Sequence, residues 1–119
     1  MKILLDTNFL MAPAQFKVDI FRQLSGHKLM TLDLCVKELK RISKSKKKDA
    51  MAAEIALDLL KKKKVRIVKA KPLTDSALLN YAKENNCAVA TNDRKLIKRL
   101  KNKEINIIRL RQKRYIIGV

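Results

Sequence analysis

Four acids fall where carboxylates seldom stand without a reason. Asp6 closes the apolar run Ile3-Leu4-Leu5 and is followed by Thr7-Asn8. Glu38 lies a turn into a helical stretch, Asp75 follows Thr74 at the start of another, and Asp93 comes after Val89-Ala90-Thr91-Asn92. Carboxylates gathered in one crevice repel one another unless cations bridge them. Hard divalent ions such as Mg²⁺ or Mn²⁺ choose carboxylate and water oxygens. The chemistry such a group could do is metal-assisted phosphodiester hydrolysis, in which the metals activate a water and screen the scissile phosphate.

Each acid also has a plainer use. Asp93 can cap its helix, and Asp75 can sit at the positive end of its own. Glu38 stands among Lys37, Lys40 and Arg41 on an exposed face, and Asp33 competes with it, although Asp33 directly precedes a helix and is better placed to cap it. Asp49, Glu54, Asp58, Glu84 and Glu104 read as solvated charges, and His27 as a surface turn residue with no serine or cysteine partner.

The elements that must position these acids alternate short apolar runs with helical ones. Strands are expected at 3–5, 29–32, 65–68, 87–90 and 105–110. Helices are expected at 16–24, 34–43, 50–63, 75–84 and 93–101. In the third of these, Met51, Ile55 and Leu59 are expected to line the buried side. The strands are apolar throughout rather than alternating, which indicates a parallel sheet covered on both faces. Right-handed crossovers then give a three-layer α/β/α sandwich. Ligands bind such sheets at the carboxyl ends of the strands near the topological switch point. If the first and fourth strands are neighbours there, the four acids converge. With 119 residues and no linker or repeat, residues 1–119 are expected to form one domain.

Charge narrows the partner. There are 29 Lys and Arg against 11 Asp and Glu, a formal net charge of +18, so the chain repels itself unless a polyanion offsets it. Nucleic acid is that polyanion, since neutralising phosphates releases counterions. Lys44, Lys46, Lys47, Lys48, Arg94, Arg111 and Arg114 are the candidates for phosphate contacts. Gly26 and Gly118 are the only glycines, which excludes a P-loop and a dinucleotide fingerprint. No apolar run is long enough to span a bilayer, and the first residues lack a secretory signal. Cys35 and Cys87 are too few for a disulfide framework and fit a reducing cytoplasm.

The runs Leu4-Leu5-Asp6-Thr7-Asn8-Phe9-Leu10, Val36-Lys37-Glu38-Leu39, Thr74-Asp75-Ser76-Ala77-Leu78 and Val89-Ala90-Thr91-Asn92-Asp93-Arg94-Lys95-Leu96 resemble, in order and spacing, the four acidic motifs of PIN-domain nucleases. The resemblance covers essentially the whole chain. It implies a central five-stranded parallel sheet and Mg²⁺- or Mn²⁺-dependent cleavage of single-stranded RNA, leaving 5′-phosphate and 3′-hydroxyl ends. Asp6, Glu38, Asp75 and Asp93 would hold the metals. Asn8, Thr91 and Asn92 would orient those ligands or a metal-bound water. Residues 107–115, with the Thr91 to Leu96 run, look most like the ribosomal-RNA-processing branch, which acts on pre-rRNA. Size and motifs are also similar to VapC-type toxins, whose partner is an antitoxin, and a homodimer is a further option. The rival reading is a non-catalytic RNA-binding or ribosome-assembly protein in which the acids are caps. A receiver-type signalling domain would need paired acids after the first strand, where Thr7-Asn8 stands instead.

Overall fold

Ile3 and Leu5 point to one side of the first strand and Leu4 to the other, and all three are fully buried. Both faces of the sheet must therefore be covered. The computed structural model describes residues 1–70 and 76–118 and shows how. Its elements run β1 (Lys2–Leu5), α1 (Thr7–Phe16), α2 (Ile20–Gln23), β2 (Lys28–Leu32), α3 (Asp33–Ser43) and α4 (Ala50–Lys62). They continue with β3 (Arg66–Val68), α5 (Ala77–Asn85), β4 (Ala88–Ala90), α6 (Arg94–Asn102), β5 (Ile107–Arg111) and β6 (Tyr115–Ile117). On one face, Ile3, Leu5, Ala90 and Ile108 pack with Leu10 of α1, Leu39 of α3 and Ala53 of α4. On the other, Leu4, Leu32 and Val89 pack with Leu79 and Ala82 of α5 and Leu100 of α6. The three-layer sandwich is thus present.

The sheet order is β3-β2-β1-β4-β5-β6. The chain winds outward from β1 to β2 and β3, then crosses back to β4 on the other side of β1. The expected adjacency of the first and fourth strands holds: Ile3, Leu4 and Leu5 pair in parallel with Ala88, Val89 and Ala90.

Five strands are parallel as expected, but the sheet has six. β6 lies antiparallel on β5, with Arg111 opposite Tyr115. Its hairpin turn places Gln112 and Lys113 both at positive φ, 53° and 56°. Hairpins of this kind usually announce themselves with Asn-Gly or a similar pair. Here the turn is Gln-Lys, so the residues alone read as a basic tail. Gly118 follows at a φ of 101°, its α-carbon against the Ile107 carbonyl where a Cβ has no room.

Two helical expectations change. The expected helix at 16–24 is instead α1 followed by the short α2. Asp6 caps α1 by accepting the Phe9 amide, and Lys17 closes it in the left-handed region. Pro13 inside α1 removes one backbone donor, so the stretch reads as a break although the cap enforces a helix. In α4 the buried residues are Ala52, Ala53, Ala56 and Leu60, not Met51, Ile55 and Leu59. Met51 is 71% exposed and Ile55 42%. Small residues at 52, 53 and 56 let α4 approach α1 and α3 closely, and Met51 and Ile55 are turned outward. Among the described residues, no helix is long and apolar enough to cross a membrane.

Candidate active site

The β1–β4 junction brings together residues from the two ends of the chain. Asp6, at the carboxyl end of β1, is only 7% exposed. One carboxylate oxygen accepts the Phe9 amide at 2.7 Å and the other accepts the Thr91 hydroxyl. Thr91, fully buried just beyond β4, in turn accepts the Asp93 amide at 3.1 Å. Because that hydroxyl receives one hydrogen bond from Asp93, its own proton is directed at Asp6. A chain of hydrogen bonds therefore joins Asp93, Thr91 and Asp6.

Asp6 feels the fields of two other acids, that of Asp93 more than that of Glu38. Burial raises the Asp6 pKa from 3.8 to about 6. The bonds from Thr91 and Phe9 pull it back down, while the negative fields of Asp93 and then Glu38 push it further up. Asp93 is exposed, and its side chain caps α6 by accepting the Lys95 and Leu96 amides. Capping and membership of the acidic group are therefore compatible, since the cap engages a single oxygen, Oδ1. Glu38 extends from α3 into solvent, where Arg41 Nη2 lies 3.6 Å from its carboxylate.

Among the described residues no three acids, histidines or cysteines are close enough to cage a metal ion. Asp75 lies outside the described residues. The donors that are present suit a hard cation all the same. They are carboxylates only, and the burial that strains Asp6 would be relieved by a positive charge. Mg²⁺ in particular binds through one or two carboxylates and completes its shell with water and substrate phosphate.

The other expected positions spread around this centre. Asn8 and Asp93 share a cavity of about 350 Å³ with Phe9, Phe16, Leu110 and Lys113. The Asn92 amide both donates to the Leu110 carbonyl, at 2.8 Å, and accepts the Leu110 amide, at 2.9 Å. Its role is thus to fasten the loop carrying Asp93 to β5. Lys44, Lys46, Lys47 and Lys48 are exposed between α3 and α4, Arg94 opens α6, and Arg111 and Arg114 flank the β5–β6 turn.

Sequence reading missed the support beneath Asp6. Thr31, fully buried, donates to the Leu5 carbonyl at 2.8 Å and fixes the strand end that carries Asp6. Cys35 lies near Thr7 and Thr31, and burial pushes its thiol pKa up, with the Asp6 charge adding to that. A threonine inside an otherwise apolar strand was the available clue. Asp33, expected as a cap, instead accepts both the Leu34 and Ala70 amides and ties the end of β3 to the start of α3.

Comparison with known proteins bears on the family and the fold. The family model described as a PIN-like domain matches residues 3–113. Ribonuclease VapC4 of Methanocaldococcus jannaschii is 38% identical, over 96% of this chain and 93% of that protein. The solved structure of the PIN domain endonuclease Utp24 superposes with a TM-score of 0.79 at 22% identity, covering 99% of this chain and 92% of the other. At that identity the likeness to Utp24 concerns the fold.

Proposed function

Because the chain belongs to the PIN-like domain family, we propose that it is a divalent-metal-dependent endoribonuclease whose acids are Asp6, Glu38, Asp75 and Asp93. The observation that carries this is Asp6: a carboxylate buried at the end of β1, held by Thr91 and the Phe9 amide and subject to the negative fields of Asp93 and Glu38, in a chain of net charge +18. A structural cap needs neither the burial nor the neighbouring acids. The 38% identity to a ribonuclease supports the same reading.

Mg²⁺ or Mn²⁺, when bound, would supply an activated water and charge stabilisation at the phosphorus. The residues of this chain do the rest. Thr91 and the Phe9 amide fix the Asp6 carboxylate, so its lone pairs have one direction. Asn92 holds the Asp93 loop in register with β5. Asn8, beside Asp93, is placed to orient a water or a phosphate oxygen. Arg94, Arg111, Arg114 and the lysines at 44 and 46–48 neutralise RNA phosphates, positioning the strand without reading its sequence.

Incubation with single-stranded and structured RNAs, with Mn²⁺ or with EDTA, tests the proposal. Cleavage with 5′-phosphate and 3′-hydroxyl ends is expected in Mn²⁺ alone and is lost in the Asp6→Asn chain. RNA bound but uncut under every condition would establish a non-catalytic binder instead.

The substrate we favour is a ribosomal RNA precursor, processed in the cytoplasm, because +18 on 119 residues suits a large, phosphate-dense RNA. The likeness to VapC4 favours a second reading, a toxin held by an antitoxin. Mapping RNA ends after induced expression of active and Asp6→Asn chains separates them. Cuts confined to precursor RNA support the first, and cuts in mature RNAs with growth arrest support the second.

A further inference from the structure

Three concavities that share lining residues lead from Asp93 to the amino-terminal ends of the strands. The one beside Asp93 is bounded by Phe16 and Lys113. The same two residues line a second, of about 420 Å³, with Lys17, Arg22 and Arg114. Arg22 and Asp19 then pass into a third, of about 950 Å³, at the amino-terminal ends of the strands. Lys2, Lys28 and Arg66 enter this cleft from β1, β2 and β3, and Lys63 and Lys64 from the end of α4. We propose that the three form one track for single-stranded RNA, in which the large cleft grips phosphates several nucleotides away from the bond that is cut. The acidic end of the track rests on the nuclease reading; its basic end stands independently.

Among the described residues, none of the cations lining this cleft forms an ion pair. Lys2 and Lys28 are direct partners in the parallel register, an arrangement that costs stability. Among the described residues the one ion pair is Arg41–Glu38, which lies elsewhere. The one acid lining the cleft is Asp19, and its carboxylate already accepts the Arg22 amide. The dipole of α4 accounts for Lys63 and Lys64 just past its end, but not for Lys2, Lys28 or Arg66. These cations therefore call for an external polyanion. An acidic protein would satisfy the charge alone. RNA also accounts for the continuity, because a strand leaving the acidic centre meets Lys113, Arg114 and Arg22 in turn. From Lys2 to Asp6 the strand spans about 13 Å, so the two ends of the track engage different nucleotides.

Binding to the cleavage-silent Asp6→Asn chain tests this. Fluorescent oligouridines are titrated across a range of salt, short ones covering the acidic end and long ones able to follow the track. Lys28→Glu with Arg66→Glu is compared with Lys98→Glu plus Lys101→Glu, exposed α6 residues outside all three concavities. For the long RNA, the cleft pair is expected to lower affinity about tenfold or more. It should also flatten the dependence of log affinity on log salt by about 1.4, or about 0.7 for each lost contact. The short RNA and the α6 pair should show far smaller changes. Lys28→Gln with Arg66→Gln should reproduce the flattened slope if the reversed charges disturb folding. The track is refuted if long-RNA affinity and slope are unchanged, if short and long RNA lose equally, or if the α6 pair matches the cleft pair. Loss of polyglutamate binding with RNA binding intact would assign the cleft to an acidic protein and also refute it. Failure of the unmodified chain to cut RNA in Mn²⁺ would overturn the nuclease reading while leaving this binding series decisive.

Discussion

The Thr91 hydroxyl donates to the buried carboxylate of Asp6 across 85 residues of sequence, at the junction of β1 and β4. Thr91 also accepts the Asp93 amide, so one side chain couples the two acids. A buried carboxylate held in this way is poised for a cation and strained without one.

Asp6→Asn should therefore trade function for stability. Asparagine keeps one acceptor oxygen for the Phe9 amide, turns its NH2 group toward the Thr91 oxygen, and carries no charge. In EDTA the variant should melt several degrees higher than the unmodified chain. RNA cleavage in Mn²⁺ should fall by about 100-fold or more. A variant that cuts RNA at the original rate would remove Asp6 from the site.

The metal-free chain should lose stability as pH rises. Folded Asp6 holds its proton up to about pH 6, against an ordinary value of 3.8. Between those values the folded state binds more protons than the unfolded one, so stability declines with rising pH. A relative contribution of roughly 3 kcal/mol, complete below the unfolded pKa, is lost above the folded one. Denaturant midpoints in EDTA should thus show the advantage of Asp6→Asn widening from about pH 4 to about pH 7. A constant gap would contradict the raised pKa.

Thr91→Val keeps the volume but removes the hydroxyl. It leaves a carboxylate oxygen of Asp6 and the Asp93 amide without partners, costing about 1–3 kcal/mol. Because the Thr91 bond holds the Asp6 pKa down, the pH at which that gap widens should move upward. The Mn²⁺ concentration giving half-maximal cleavage should rise several-fold. An unchanged metal requirement would mean that Thr91 serves the fold alone.

The two sides of α4 should respond oppositely to substitution. Met51→Lys, on the outward side, should change stability by no more than about 0.5 kcal/mol. Ala53→Leu should cost about 1–3 kcal/mol, because Ala53 is fully buried against α1 and α3. Thermal melts of both variants check this. The periodicity of Met51, Ile55 and Leu59 pointed the other way, since apolar spacing identifies a helical face without saying how close the neighbouring helix comes. Ala52, Ala53 and Ala56, with Leu60, became the contact surface because the helices pack too closely for larger side chains at the three alanine positions.

The amino-acid sequence by itself determined the α/β/α class, named Asp6, Glu38, Asp75 and Asp93 as candidate acids, and set the net charge of +18. Those features follow from local hydrophobic runs, strand ends and composition, none of which needs a distant residue. Tertiary structure alone decided that Thr91 meets Asp6, that Asn92 is engaged by Leu110, and that β6 completes the sheet through a turn without glycine. It also decided that Lys2, Lys28 and Arg66 meet at one cleft. Each of these depends on strand order and register, which are set by packing between segments far apart in the chain.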